Sequence, residues 1–276
     1  MDKLVVTIMA AGEGKRMNSN IPKVLHLFKN APMLVRIIDE VYRLRPRKII
    51  IVTGKYDKLI KETLEDNLNS YIYKKLVFVK QEIPNGTAGA IKETLRKYNN
   101  DENVLILNGD MPLIKSSLLN KIISGKINSL VVTDLENPTG YGRILYNKEL
   151  NNKFIGIREE KDCNEEERLI KTVNVGIYYF NAGILKEYIP MIDNDNIQNE
   201  YYLTDIVKVI YNNSNKDDKV NDTLDDTLDD TINNNISNNE SIKNIELHTY
   251  LLNNDEKYQV LGVNTKEELE ELEKKY

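Results

Sequence analysis

The chain has 276 residues, 41% of them hydrophobic and 29% charged, with a net charge of −5. No apolar run nears the ~20 residues of a membrane span, the single Cys163 excludes an internal disulfide, and no Cys/His cluster could hold zinc. The acidic balance offers no bulk attraction to nucleic acid, so the composition describes a reduced, cytoplasmic protein, without a nucleic-acid or membrane partner, that acts on something small.

Met1–Met9 is apolar but short and runs into glycine-rich sequence without a cleavage pattern, so no secretory leader is expected. Leu4–Met9 reads as a buried strand, Met33–Leu44 as an amphipathic helix, and Lys48–Thr53 as a second strand. A charged helix over Tyr56–Leu68, a strand over Leu76–Val79 and a helix over Thr87–Tyr98 follow. Val104–Leu107 and Ser129–Thr133 read as further strands, with a helix near Ser116–Ile123 between them. This alternation predicts an α/β fold: a Rossmann-like, doubly wound, mostly parallel sheet with helices on both faces. Ligands bind such sheets at the carboxyl ends of the strands.

Past about residue 135 the pattern changes. Short strands near Gly142–Tyr146, Phe154–Ile157 and Val173–Phe180 predict a small antiparallel addition beside the main sheet. A helix is expected over Leu203–Asn212, strands over Ile245–Leu252 and Tyr258–Val260, and a final helix opened by the capping-box pattern Thr265-Lys266-Glu267-Glu268. Residues 213–243 carry a TLDD repeat and Asn runs. Such a polar segment is expected to be a disordered insertion in an otherwise single domain over residues 1–276.

The chemistry gathers at strand ends. Met9-Ala10-Ala11-Gly12-Glu13-Gly14-Lys15-Arg16-Met17 directly follows the first strand. Its small residues let backbone N–H groups approach an anion or a base, and Arg16 suits phosphate oxygens. A tight strand–helix turn with a surface arginine would look the same. The spacing is neither GxGxxG nor GxxxxGK[ST], which counts against a dehydrogenase and a P-loop enzyme. Pro22 stiffens the chain before Lys23, which is either a second phosphate ligand or an ordinary surface lysine; His26 is read as a packing residue. Gln81 offers an amide that can read a base edge. Gly86-Thr87 opens a helix whose free N–H groups face a ligand, or Thr87 is a plain N-cap. Asn108-Gly109-Asp110 ends the fourth strand, where Asp110 suits a nucleotide-borne divalent cation or caps a turn.

Taken with GTAGA (Gly86–Ala90), PTGYGR (Pro138–Arg143), GIREEKD (Gly156–Asp162), VNVG (Val173–Gly176), EYYLTD (Glu200–Asp205) and GVN (Gly262–Asn264), these runs cover nearly the whole chain in order. As a set they resemble the sugar nucleotidyltransferases, and among them the uridylyltransferase domain of the bacterial N-acetylglucosamine-1-phosphate uridylyltransferase family. The resemblance implies transfer of a uridylyl group from UTP to N-acetylglucosamine 1-phosphate. It implies that Met9, Ala10, Ala11, Gly12, Gln81, Gly86 and Thr87 hold the nucleotide base, with Asn108, Gly109 and Asp110 also at the nucleotide. Arg16 and Lys23 would be catalytic, binding the triphosphate. Asp110 and Asn264 would hold Mg²⁺. Gly142, Glu159, Asn174, Tyr202 and Thr204 would surround the sugar.

Departures stand out. Glu13 and Lys15 replace a basic residue and a Thr, Asn85 stands where an apolar residue is common, and Gly89 where the family usually has His. Bifunctional members continue into a β-helix acetyltransferase domain, whereas this sequence stops at the helix after Asn264, so a monofunctional enzyme is expected. A thymidylyl- or cytidylyltransferase, and a catalytically inactive sugar-nucleotide sensor, are the competing readings.

Overall fold

The computed structural model describes residues 3–147, 153–221 and 245–276. Its strands are β1 (Leu4–Met9), β2 (Leu27–Phe28), β3 (Ala31–Pro32), β4 (Lys48–Thr53), β5 (Leu76–Lys80), β6 (Asn103–Asn108), β7 (Ser129–Asp134), β8 (Gly142–Asn147), β9 (Lys153–Arg158), β10 (Thr172–Asn181) and β11 (His248–Leu251). Its helices are α1 (Met33–Tyr42), α2 (Asp57–Asn67), α3 (Ser70–Tyr73), α4 (Thr87–Thr94), α5 (Ser116–Ile123), α6 (Glu165–Arg168), α7 (Ala182–Tyr188), α8 (Ile206–Asn221) and α9 (Lys266–Lys275).

Successive residues of a strand point to opposite faces, and the central strands are apolar on both. Val6, Ile8, Ile49, Ile51, Leu105 and Leu107 join one core, which Leu34, Ile38 and Val41 of α1 and Leu118 and Ile122 of α5 complete. Val5, Ile50, Val52, Val104 and Ile106 join the other, covered by Ile91 of α4, Leu185 of α7 and Ile206 and Val207 of α8. Runs without alternation therefore fit strands covered on both faces.

The sheet runs β11-β7-β10-β6-β1-β4-β5, with the β8–β9 hairpin attached to β10. The β1–β4, β1–β6, β4–β5 and β11–β7 pairs are parallel. The third late strand differs from expectation. β10 does not lie beside the main sheet but inside it, antiparallel to both β6 and β7. Its run of buried residues from Val173 to Phe180 is that of a central strand, and local pattern cannot name a strand's neighbours. Only β8 and β9 form the antiparallel addition.

Two further expectations are corrected. Tyr258–Val260 is not a strand but part of a 3₁₀ turn over Lys257–Val260, which a Gln259 N–H to Glu256 carbonyl bond of 2.9 Å closes. Three residues are too few to separate the two periods. The helix expected to end at Asn212 continues to Asn221, since the polar stretch holds no Gly or Pro to stop it. The rest of the expected insertion, residues 222–243, lies outside the described residues. Among the described residues, no helix is long and apolar enough to cross a membrane.

Candidate active site

The carboxyl ends of β1 and β6 open onto a cleft of about 580 Å³. Its near wall carries Met9, Arg16, Thr87, Asn108 and Asp110, and its far wall Gly142, Glu159, Asn174, Thr204 and Asn264. Ten of the residues singled out in the sequence thus face one space. Ala10, Ala11, Gly12, Gln81, Gly86 and Gly109 sit beside it without lining it. Tyr202 lies apart from the wall: it is buried, and its hydroxyl accepts a 2.6 Å bond from Gln198 Nε2.

The glycine loop is built tightly. Gly109 N–H donates to the Met9 carbonyl at 2.9 Å, and Ala10 N–H to the Val52 carbonyl at 2.9 Å, tying the ends of three strands together. Gly14 has φ +66°, and a Cβ there would lie 2.5 Å from Lys23 Cβ. Only glycine lets the loop turn and lie against Lys23. Met17 then anchors the loop in a small core with Phe28, Met33, Val263 and Leu272, leaving Arg16 exposed on the cleft side.

Lys23 follows Pro22 in a 3₁₀ turn and reaches across the molecule. Its Nζ ion-pairs with Asp110 Oδ2 and donates to Asn264 Oδ1 at 3.0 Å. Asn264 comes within reach because Val263 N–H donates to the Asp110 carbonyl at 3.0 Å. Glu268 then fixes Asn264 by accepting its backbone N–H at 2.6 Å. The sequence placed Glu268 in a capping box, and half of that holds: Thr265 Oγ1 accepts from Glu268 N–H at 3.2 Å. The carboxylate, however, reaches one residue further back, to Asn264. Glu268, with Glu271 and Lys275 of α9, lines the cleft and was not read as a site residue; only the cap pattern pointed towards it.

The Asp110–Asn264 pair suits a hard cation. Both side chains put an oxygen on the one ammonium of Lys23, so the two oxygens lie within a single cation's reach. Asp110 Oδ1 is buried and has no hydrogen-bond partner. Among the described residues no three or more His, Cys, Asp and Glu side chains cluster. A cation here would draw the rest of its shell from ligand oxygens and water, the habit of Mg²⁺.

The far wall rests on β8–β10. Thr204 Oγ1 donates to Glu159 Oε1 at 2.9 Å. Burial pushes the Glu159 carboxyl above its ordinary range, the charges of Asp205 and Asp162 add to this, and the Thr204 bond opposes it. Asn174 sits where the β10–β7 register shifts; it accepts from Gly176 N–H at 3.1 Å and donates to the Tyr178 hydroxyl at 2.7 Å. Gly176 has φ +78°, and a Cβ there would meet Asn108 Nδ2 at 2.3 Å. That close approach explains the glycine of VNVG.

Arg143 of the GYGR run had no role in the sequence. It is 2% exposed, pairs with Glu160 at 2.7 Å and donates to the Tyr141 carbonyl. Glu160 also accepts from Gly140 N–H at 3.1 Å. Together they hold Thr139–Gly142, which forms the cleft rim. His26 is half-buried with an unpartnered Nε2, and burial lowers its pKa.

Solved nucleotidyltransferases share this architecture. A UDP-glucose pyrophosphorylase complexed with UDP-glucose superposes with a TM-score of 0.61 at 17% identity, covering 77% of this chain and 88% of that one. A putative glucose-1-phosphate thymidylyltransferase from Bacillus anthracis gives 0.64 at 15%, covering 98% and 94%. At these identities the likeness is one of fold alone. The chain belongs to the MobA-like NTP transferase domain family, whose profile matches residues 6–145. It is 39% identical over 277 residues to a probable UDP-N-acetylglucosamine pyrophosphorylase of Acanthamoeba polyphaga mimivirus, covering 98% of this chain and 95% of the relative. It is 42% identical over 207 residues to the bifunctional protein GlmU of Sulfurovum sp. (strain NBC37-1), covering 74% of this chain and 45% of GlmU. The chain spans less than half the length of that bifunctional relative.

Proposed function

We propose that this nucleotidyltransferase transfers the uridylyl group of UTP to N-acetyl-α-D-glucosamine 1-phosphate, giving UDP-N-acetylglucosamine and pyrophosphate. The observation that carries the reading is the pairing, across one cleft, of a glycine loop bearing Arg16 with a far wall bearing Glu159, Asn174 and Thr204. The near-full-length likeness to the mimivirus pyrophosphorylase supports the choice of sugar. We place the reaction in the cytoplasm, in keeping with a single cysteine and a triphosphate substrate.

The base docks against Ala10–Gly12, Gln81, Gly86 and Thr87. Arg16 and Lys23 hold the triphosphate, and Glu159, Asn174 and Thr204 hydrogen-bond the sugar and its acetamido group. A phosphate oxygen of the sugar phosphate attacks the α-phosphorus in line, forming the new P–O bond as the bond to pyrophosphate breaks. The nucleophile is already an anion, so no general base is needed; positioning and charge neutralisation carry the rate. Asp110 and Asn264 would hold Mg²⁺, which supplies further neutralisation of the phosphates when bound. Arg16 and Lys23 take up charge on the departing pyrophosphate.

The test is pyrophosphate release from UTP with four sugar 1-phosphates side by side: N-acetylglucosamine, N-acetylgalactosamine, glucosamine and glucose. A site built to bond an acetamido group rejects substrates lacking it. N-acetylglucosamine 1-phosphate should exceed glucose 1-phosphate by at least ~10²-fold in kcat/KM. Equal efficiency would remove the N-acetyl assignment and leave the transferase class in place.

A further inference from the structure

Asn85 and Gly89, which depart separately from the family pattern in the sequence, meet in the fold. Gly89 is buried in α4, and a Cβ built on it would lie 1.9 Å from Asn85 Oδ1. The Asn85 side chain occupies the space that a side chain at 89 would take. Its Oδ1 accepts a hydrogen bond from Gln81 Nε2 at 3.1 Å.

The same Gln81 nitrogen donates to the Gly86 carbonyl at 3.0 Å. A carbonyl only accepts, so the nitrogen of the amide, not its oxygen, must face Gly86. Asn85 Oδ1 takes the second N–H. The frame around the amide is held as well. Gln81 N–H donates to the Thr53 carbonyl, and Tyr201 N–H to the Asn85 carbonyl, each at 2.8 Å. With both amide hydrogens engaged, the oxygen is the group that the Gln81 amide has left for a base. An acceptor fixed in this way pairs with the imide N3–H of uracil or thymine. Cytosine presents a lone pair at that ring atom.

We propose that Asn85, seated in the space left by Gly89, is a positioning residue that ties down the Gln81 amide nitrogen, leaves the amide oxygen to the base, and so selects a base bearing an imide N–H over cytosine. The inference rests on the reading above in one respect, that the base docks at Gln81.

Wild type, Asn85→Leu, Asn85→Asp and Gly89→Ala are to be compared with UTP, dTTP and CTP, both in steady-state transfer and in calorimetric nucleotide binding. One lost hydrogen bond is worth roughly 3–10-fold. Asn85→Leu should therefore raise KM for UTP by about that factor, with kcat and the KM of the sugar phosphate unchanged. The UTP-to-CTP preference should shrink by a similar factor and the UTP-to-dTTP ratio should hold. Asn85→Asp keeps an acceptor and should stay within ~2-fold of wild type. Gly89→Ala, which displaces Asn85, should reproduce Asn85→Leu without any change at position 85, so the proposal stays testable if one variant does not fold. Three results would overturn it: wild-type KM and selectivity in Asn85→Leu, an Asn85→Asp as impaired as Asn85→Leu, or a wild type that binds CTP as tightly as UTP. Failure of the functional reading is distinguishable. It shows as absent transfer to sugar phosphates, while the calorimetric comparison of UTP with CTP still decides the base selection.

Discussion

Lys23 and Asn264 are 241 residues apart in the chain, yet Lys23 Nζ donates to Asn264 Oδ1 at 3.0 Å while ion-pairing with Asp110. The ammonium therefore stands between the two side chains proposed to hold a divalent cation. On the proposed function, the phosphate ligand and the metal competitor are then the same lysine. Lys23→Met should lower kcat/KM for UTP by roughly 2–4 kcal/mol, the worth of a preorganised donor to developing charge. It should also strengthen Mn²⁺ binding in the absence of nucleotide, because Asp110 and Asn264 lose a competing cation. Mn²⁺ titration followed by electron paramagnetic resonance reads the second effect. Weaker Mn²⁺ binding in the variant would show that the lysine supports the cation site and does not compete for it.

Asp110 is the other half of this arrangement. Its Oδ1 is buried without a partner, a costly position for a carboxylate unless something charged arrives there. Asp110→Asn keeps the shape and removes the negative charge of the pair, since Asn264 is a neutral amide. Turnover should fall by at least ~10²-fold. Near-wild-type turnover at saturating Mg²⁺ would remove Asp110 from the site.

Buried Arg143 pairs with half-buried Glu160 beneath the cleft rim. Removing Arg143 leaves Glu160 with Arg168 at 3.5 Å and the Gly140 N–H at 3.1 Å, so the cost is that of one charged hydrogen bond, roughly 1–3 kcal/mol. Arg143→Met should lower the urea midpoint accordingly. It should also raise KM for the sugar phosphate more than for UTP, because Thr139–Gly142 lies on the same side of the cleft as Glu159. Equal changes in both KM values would mean that the pair serves stability alone.

The strands of the first half were legible because each is a short, mostly apolar run, and the ends of those strands placed Arg16, Gln81 and Asp110 on one edge. The position of β10 was not, since nothing local to Val173–Phe180 says that it inserts between β6 and β7. The far wall depended on motif resemblance for the same reason. Glu159, Thr204 and Asn264 converge only through pairings such as Thr204 to Glu159 and Val263 to Asp110. Glu268 showed itself as a helix cap, and its grip on Asn264 is visible only once the chain is folded. Arg143 stood in the sequence only as part of the PTGYGR run; its burial is a property of the β8–β9 hairpin packing on β10.

Asp205 gives a pH dependence of stability with a definite sign. Burial raises its pKa to about 6, Asp193 and Asp162 add to the shift, and Lys208 and Arg158 oppose it. In the unfolded chain an Asp titrates near ~3.9. Between about pH 4 and 6 the folded protein therefore retains a proton that the unfolded chain has released, and the stability from this group falls as pH rises through that window. Above it the loss is complete and constant. Asp205→Asn removes the loss, since the amide never ionises. The variant should be more stable than wild type at pH 8 by roughly 1–2 kcal/mol, allowing for partial exposure, and the difference should vanish by about pH 4. Urea unfolding at both values checks this. A variant that is less stable at pH 8 would mean that the ionised carboxylate is held by Lys208 and Arg158 more strongly than burial opposes it, reversing the sign.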